Sequence, residues 1–213
     1  MQTSTRWTVA VLVVVVALGA ALWLQLGGGE SETGSSGSAT PRDRRDADTV
    51  QALAGPRADA DLEPCPAPGV GDGPEAVRGI ILECAGDGSS VDVAKAVSGR
   101  TVVLNLWAYW CAPCARELPA MAEYQRRVGA EVTVLTVHQD ENETAALLRL
   151  AELGVHLPTL QDGRRRIAAA LEVPNVMPAT VVLRSDGSVA AILPRSFDNA
   201  DEIAAAVGPV IGP

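Results

Sequence analysis

Two cysteines three positions apart, Cys111 and Cys114, lie in the stretch WAYWCAPCARELP at residues 107–119. This spacing serves three chemistries: a structural disulfide, half of a zinc site, or a redox centre. A disulfide that closes so small a loop stabilises little, because the benefit grows with loop length. Zinc takes four ligands, and the other candidates, Cys65, Cys84, His138 and His156, form no second close pair. Redox chemistry is therefore the favoured reading. It requires Cys111 to be the thiolate that attacks a disulfide and Cys114, one helical turn on and more buried, to resolve the mixed disulfide.

The elements around the pair must supply that reactivity. TVVLNLW at 101–107 is a short apolar run suited to a central buried strand, and a helix is expected from about 111 to 128. Cys111 then sits at a helix N-terminus, where backbone N–H groups and the helix dipole stabilise a thiolate. Pro113 lacks an N–H, which costs little in a first helical turn, and it stiffens the loop. Trp110, Ala112 and Pro113 would line the substrate surface, while Trp107 packs in the core.

Further along, 132–137 reads as a second buried strand, 141–153 as a helix ended by Gly154, and 164–171 as another helix whose arginines form a solvated start. A hairpin is expected at 180–193 around Ser185-Asp186-Gly187, followed by a closing helix at 199–207. Upstream, Ile80-Leu82 and Val91-Val93 flank GDGSS and suggest a short hairpin, with a helical turn from Asp92 to Ser98. Strands alternating with helices and ending in a hairpin make an α/β sandwich with a mixed sheet.

Residues 8–26 carry no charge and are long enough to span a bilayer as a helix. Arg6 precedes them and Glu30 and Glu32 follow, so residues 1–7 stay in the cytoplasm and the rest is exported. A cleaved signal peptide is the competing reading, which would give a secreted form, but the apolar run continues through Leu22, Trp23 and Leu24. Residues 27–63, rich in Gly, Ser, Asp and Arg, are expected to be a disordered tether, and 64–213 the folded domain. The net charge is −9 with no basic cluster, which excludes nucleic acid as a partner. The 16 Arg against one Lys, Lys95, look like codon bias rather than choices of side-chain chemistry.

NLWAYWCAPCARELP resembles the active-site segment of the thioredoxin-like superfamily, with Trp107, Ala108, Trp110, Cys111, Pro113, Cys114 and Pro119 at that family's offsets. Met177-Pro178 looks like the family's cis-proline dipeptide, which lies beside the cysteine pair and binds extended substrate. The anchor, the hairpin at 80–93, Glu117, the extra helix–strand–helix at 141–171 and PATVVLRSDGSV at 178–189 resemble the membrane-anchored TlpA/ResA type. The resemblance covers about residues 64–208. It implies a thioredoxin fold with an N-terminal hairpin extension and an inserted helix–strand element. It also implies an extracytoplasmic thiol–disulfide oxidoreductase without a cofactor beyond its redox disulfide. Its substrates would be protein disulfides, such as the haem-attachment cysteines of apocytochrome c, and a membrane electron donor would keep it reduced. A Sco-type copper chaperone fits less well, because that type resembles C-x-x-x-C with a distant His. A peroxidase of the superfamily usually has Thr where Ala108 stands.

Thioredoxin has a buried Asp where this chain has Asn105. Asn cannot take the Cys114 proton, so the resemblance hands that task to Glu117, against the alternative of a helix-surface Glu. Cys65 and Cys84 read as a structural disulfide in an exported chain, with an electron relay to Cys111-Cys114 as the functional alternative.

Overall fold

The computed structural model describes residues 48–211. The anchor expected at 8–26 and most of the tether lie outside them. Among the described residues no helix is long and apolar enough to cross a membrane.

Seven strands form one mixed sheet: β1 (Ile81–Cys84), β2 (Ser90–Asp92), β3 (Val102–Trp107), β4 (Thr133–His138), β5 (Thr159–Gln161), β6 (Ala179–Leu183) and β7 (Val189–Leu193). Their order is β2-β1-β5-β4-β3-β6-β7. The middle three, β5, β4 and β3, run parallel, while β6 and β7 on one side and β1 and β2 on the other pair antiparallel. This is the thioredoxin-like α/β architecture, with the N-terminal hairpin added at one edge through β1 and β5.

Strand β3 is buried along its whole length, as its apolar run requires. Its alternate side chains build two cores. Val102, Leu104 and Leu106 join Leu135, Val137, Leu160 and Cys84 on one face. Val103 and Trp107 join Leu118, Met121, Cys111, Cys114 and Phe197 on the other. The second face is covered by α3 (Ala112–Val128), α4 (Glu143–Leu153) and α6 (Ala200–Ile211). The first is closed by the short helices α2 (Val93–Val97) and α5 (Arg166–Ala170).

The expected tether is corrected over its last part. Residues Val50–Ala60 form a helix, α1, capped by Thr49, whose Oγ1 accepts the Ala52 N–H at 3.2 Å. Gly55 and Pro56 and a sparse apolar content hid it in the sequence. Tertiary contacts hold it instead. Leu53 and Ala60 are buried against Ala85 and Leu147. Arg57 donates to Glu143 at 2.9 Å, to the Ala85 carbonyl at 3.1 Å, and to Glu83. Burial pushes Glu143 up to about 7 against the pull of Arg57. At the C-terminal end, His156 Nδ1 lies 3.0 Å and 2.9 Å from the Ala60 and Asp61 carbonyl oxygens, so that nitrogen carries the proton and His156 caps the helix. Leu53→Ala removes the main apolar anchor of α1. It is expected to cost roughly 2–3 kcal/mol of docking, read as lost amide-exchange protection across 50–60 with the central strands unchanged. Unchanged protection there would show that α1 does not depend on that contact.

Candidate functional site

Strand β3 ends at Trp107, and the chain turns through Ala108, Tyr109 and Trp110 into α3. The Cys111 N–H donates to the Ala108 carbonyl at 3.0 Å, closing the turn. Cys111 is the N-cap of α3, with its Sγ 3.2 Å from the Cys114 N–H, the geometry in which a helix N-terminus stabilises a thiolate. A disulfide joins Cys111 to Cys114. Cys111 keeps 5% of its surface and Cys114 none, so an incoming disulfide meets Cys111 first.

The rim around Cys111 is partly apolar. Trp110 is 58% exposed, and its indole N–H donates to Asp140 at 3.0 Å. Ala112 is exposed and Pro113 half-buried. The Met177-Pro178 bond is cis, and Met177 packs against the same core cluster as Cys111 and Cys114. The expected site residues Cys111, Cys114, Trp110, Ala112, Pro113, Met177 and Pro178 are thus gathered at one end of the sheet.

Glu117 stands one turn beyond Cys114 on the inner side of α3 and has no exposed surface, which removes the helix-surface alternative. One carboxylate oxygen accepts the Asn105 side-chain N–H at 2.8 Å, and the other accepts the Phe197 backbone N–H at 3.0 Å. Burial raises Glu117 to about 7, the two hydrogen bonds holding it lower than burial alone would. Asn105 Oδ1 is buried with no partner among the described residues. A rotated Asn105 amide would offer that oxygen to a protonated Glu117, so Asn105 can serve both charge states of the carboxyl. Thr180 Oγ1, across the strand pair from Asn105, is likewise buried without a partner.

His138 ends β4 beside Trp107, the ring centroids 4.9 Å apart, and is wholly buried. Burial lowers its pKa, although Gln161 and the carboxylates of Asp140 and Asp48 favour the charged form. The sequence offered His138 only as a zinc-ligand candidate and did not single out Asp140, because a lone His at a strand end or a lone Asp just beyond it has no spacing signature for this contact.

Cys65 and Cys84 form a second disulfide. It lies with the core on the opposite face of the sheet from Cys111 and Cys114. This disulfide ties the segment before the hairpin to β1 and lies in a different core from Cys111 and Cys114, so it has no direct sulfur contact with them of the kind thiol exchange needs. Of the arginines at 164–166, Arg164 and Arg166 are exposed and Arg165 is half-buried, so the run is the solvated helix start expected, with some of its side chains also bonded. Arg165 donates to Gln139 at 3.0 Å, and Arg166 to the carbonyls of Ile81 and Gly79 at 2.9 Å and 3.2 Å.

Residues 66–206 match the family model described as Redoxin. The thiol-disulfide oxidoreductase ResA of Bacillus subtilis (strain 168) is 30% identical over 98 residues, 46% of this chain and 54% of that protein. The chain spans between about half and two thirds of the length of the curated relatives it matches first. Among solved structures, a DsbF homologue from Corynebacterium diphtheriae superposes with a TM-score of 0.54 at 25% identity, covering 70% of this chain and 99% of that one. A secreted Mycobacterium tuberculosis disulfide oxidoreductase homologous to E. coli DsbE gives a TM-score of 0.55 at 23% identity, over 63% of this chain and 98% of that one, a likeness of fold.

Proposed function

The chain belongs to the Redoxin family, and from that premise we propose that it is an extracytoplasmic thiol–disulfide oxidoreductase that reduces protein disulfides through Cys111 and Cys114. The observation that carries this reading is the Cys111–Cys114 disulfide at the N-terminus of α3, with the slightly exposed sulfur at the helix cap and the other fully buried. The similarity to ResA supports the same reaction class.

In the reduced protein the Cys111 thiolate attacks one sulfur of a substrate disulfide. A Cys111–substrate bond forms, the substrate S–S bond breaks, and the departing substrate thiolate takes up a proton. Cys114, once deprotonated, attacks Cys111 Sγ, which closes the 111–114 disulfide and releases the second substrate thiolate. The substrate gains two electrons from the two protein cysteines, and both of its thiolates end protonated, one proton coming from Cys114 and the other from solvent, to which Cys111 gave its own on forming the thiolate. Glu117, which burial raises to about 7, takes the Cys114 proton in this reading; its raised pKa and its position one helical turn beyond Cys114 support the role. Trp110, Ala112, Pro113, Met177 and Pro178 form the surface along which an extended substrate segment lies.

Residues 8–26 anchor the chain, so the domain works outside the cytoplasm and receives electrons from a membrane donor. The apolar, uncharged run and the Cys65–Cys84 disulfide support that location. The clients are protein disulfides, with apocytochrome c among them. The deciding measurement is the reduction potential of the Cys111–Cys114 couple against glutathione or dithiothreitol buffers. A value near about −270 mV is expected for a reductase, and one near about −120 mV would make the protein an oxidant instead.

A further inference from the structure

In a parallel sheet the backbone N–H groups of one strand donate to carbonyls of its neighbour at regular intervals. Between β3 and β4 this ladder runs to its last step at Trp107, whose carbonyl accepts the Gln139 N–H at 2.8 Å. The next donor on that edge of the chain is the Tyr109 N–H. By the parallel pattern it would meet the Gln139 carbonyl, but the β3–β4 ladder stops at Trp107 and that backbone bond is not made. The Tyr109 N–H instead points to His138 Nε2 at 3.4 Å.

The neighbours of the ring fix which nitrogen is the acceptor. Gln161 Nε2 donates to the Asp140 carbonyl at 2.6 Å, which orients the amide and turns its oxygen toward His138. Gln161 Oε1 lies 2.8 Å from His138 Nδ1, so Nδ1 carries the proton. Nε2 of the neutral ring is then a bare lone pair facing Tyr109. Two residues beyond the strand end, Asp140 accepts the indole N–H of Trp110. Two consecutive residues before Cys111 are thus held by His138 at the end of β4 and Asp140 just beyond it.

We propose that His138 is a positioning residue for the Cys111 nucleophile: its neutral imidazole replaces a missing main-chain acceptor and locks the Tyr109–Trp110 turn that sets Cys111 Sγ at the helix N-terminus. Tyr109 is anchored on one side of the turn that the Cys111 N–H closes on Ala108. With that anchor lost, Cys111 Sγ spends less time near the Cys114 N–H and its thiolate loses stabilisation. The inference rests on the reading of Cys111 as nucleophile.

The test compares His138→Gln, which keeps an acceptor oxygen at similar reach, with His138→Leu, which fills the space without one. The readout is the pH profile of Cys111 alkylation by iodoacetamide in the fully reduced protein, with the carboxylates Asp140 and Asp48 unchanged in all variants. His138→Leu is expected to raise the thiolate pKa by about one unit, roughly tenfold less thiolate below that pKa, and His138→Gln to stay within about twofold of the wild type. A wild-type profile for His138→Leu, or equal impairment of the two folded variants, would overturn the proposal. Gln161→Leu leaves His138 in place but frees its tautomer, and it should shift the profile in the same direction. A wild-type profile there counts against the proposal even where His138→Leu folds poorly. Failure of the wild type to reduce insulin would reject the reaction itself, and that result is read separately from the alkylation profiles.

Discussion

Cys111→Ser is expected to lower insulin-disulfide reduction at least about 10³-fold, with the fold intact. Serine is nearly the same size and keeps an oxygen to cap α3, so the Cys114 N–H retains an acceptor. What disappears is the thiolate, the only group at this position able to open a disulfide. Cys114→Ser should behave differently. Attack by Cys111 still occurs, but the fully buried partner that resolves the intermediate is absent. Turnover then stops with the substrate attached. Equal activity in wild type and Cys111→Ser would remove the mechanism, and insulin reduction followed by turbidity decides it.

Glu117→Gln is expected to change both rate and stability, each with a defined pH dependence. Glu117 is raised from an ordinary value of 4.5 to about 7 in the folded protein. The folded state therefore holds a proton that the unfolded chain has already released between those values. The stabilisation this brings is fully present below pH 4.5 and is lost as pH rises through about 7. At pH 8 the wild type bears the cost of a buried carboxylate, and the Gln variant does not. The variant should therefore be more stable at pH 8, by up to about 3 kcal/mol, with the difference vanishing near pH 4. Gln keeps an acceptor for the Phe197 N–H, and a rotated Asn105 can accept its amide through the now unpartnered oxygen. The rate should fall roughly 10²-fold and lose its inflection near neutrality, since general-base help to Cys114 is gone. Urea melts at several pH values and a pH–rate profile check the two halves. An inflection that survives in Glu117→Gln would assign it to another group.

The parts of the fold visible in the sequence are those written in apolar runs. TVVLNLW and its continuation into a helix place Cys111 at the α3 cap, which is where the structure has it. The hairpin before it, the hairpin around Ser185-Asp186-Gly187 and the closing helix follow from turn residues between apolar segments. Helix α1 was illegible for the opposite reason. It contains Gly55 and Pro56, and it is held by one buried leucine and by Arg57 reaching acids on β1 and α4, partners 26 and 86 positions away. Within the site, the cysteines and the cis-proline dipeptide carry local signatures. The burial of Glu117 by Asn105 and Phe197, and the grip of His138 on Tyr109, depend on residues 12, 80 and 29 positions apart that only the folded sheet brings together.

The most direct test of the central claim uses Cys114→Ser, reduced and mixed with an excess of a disulfide-bonded protein substrate. Peptide mass mapping of the trapped product should find the substrate joined to Cys111, with the Cys65–Cys84 disulfide untouched. Attachment at Cys65 or Cys84, or no covalent product at all, would contradict the assignment of Cys111 as the attacking sulfur.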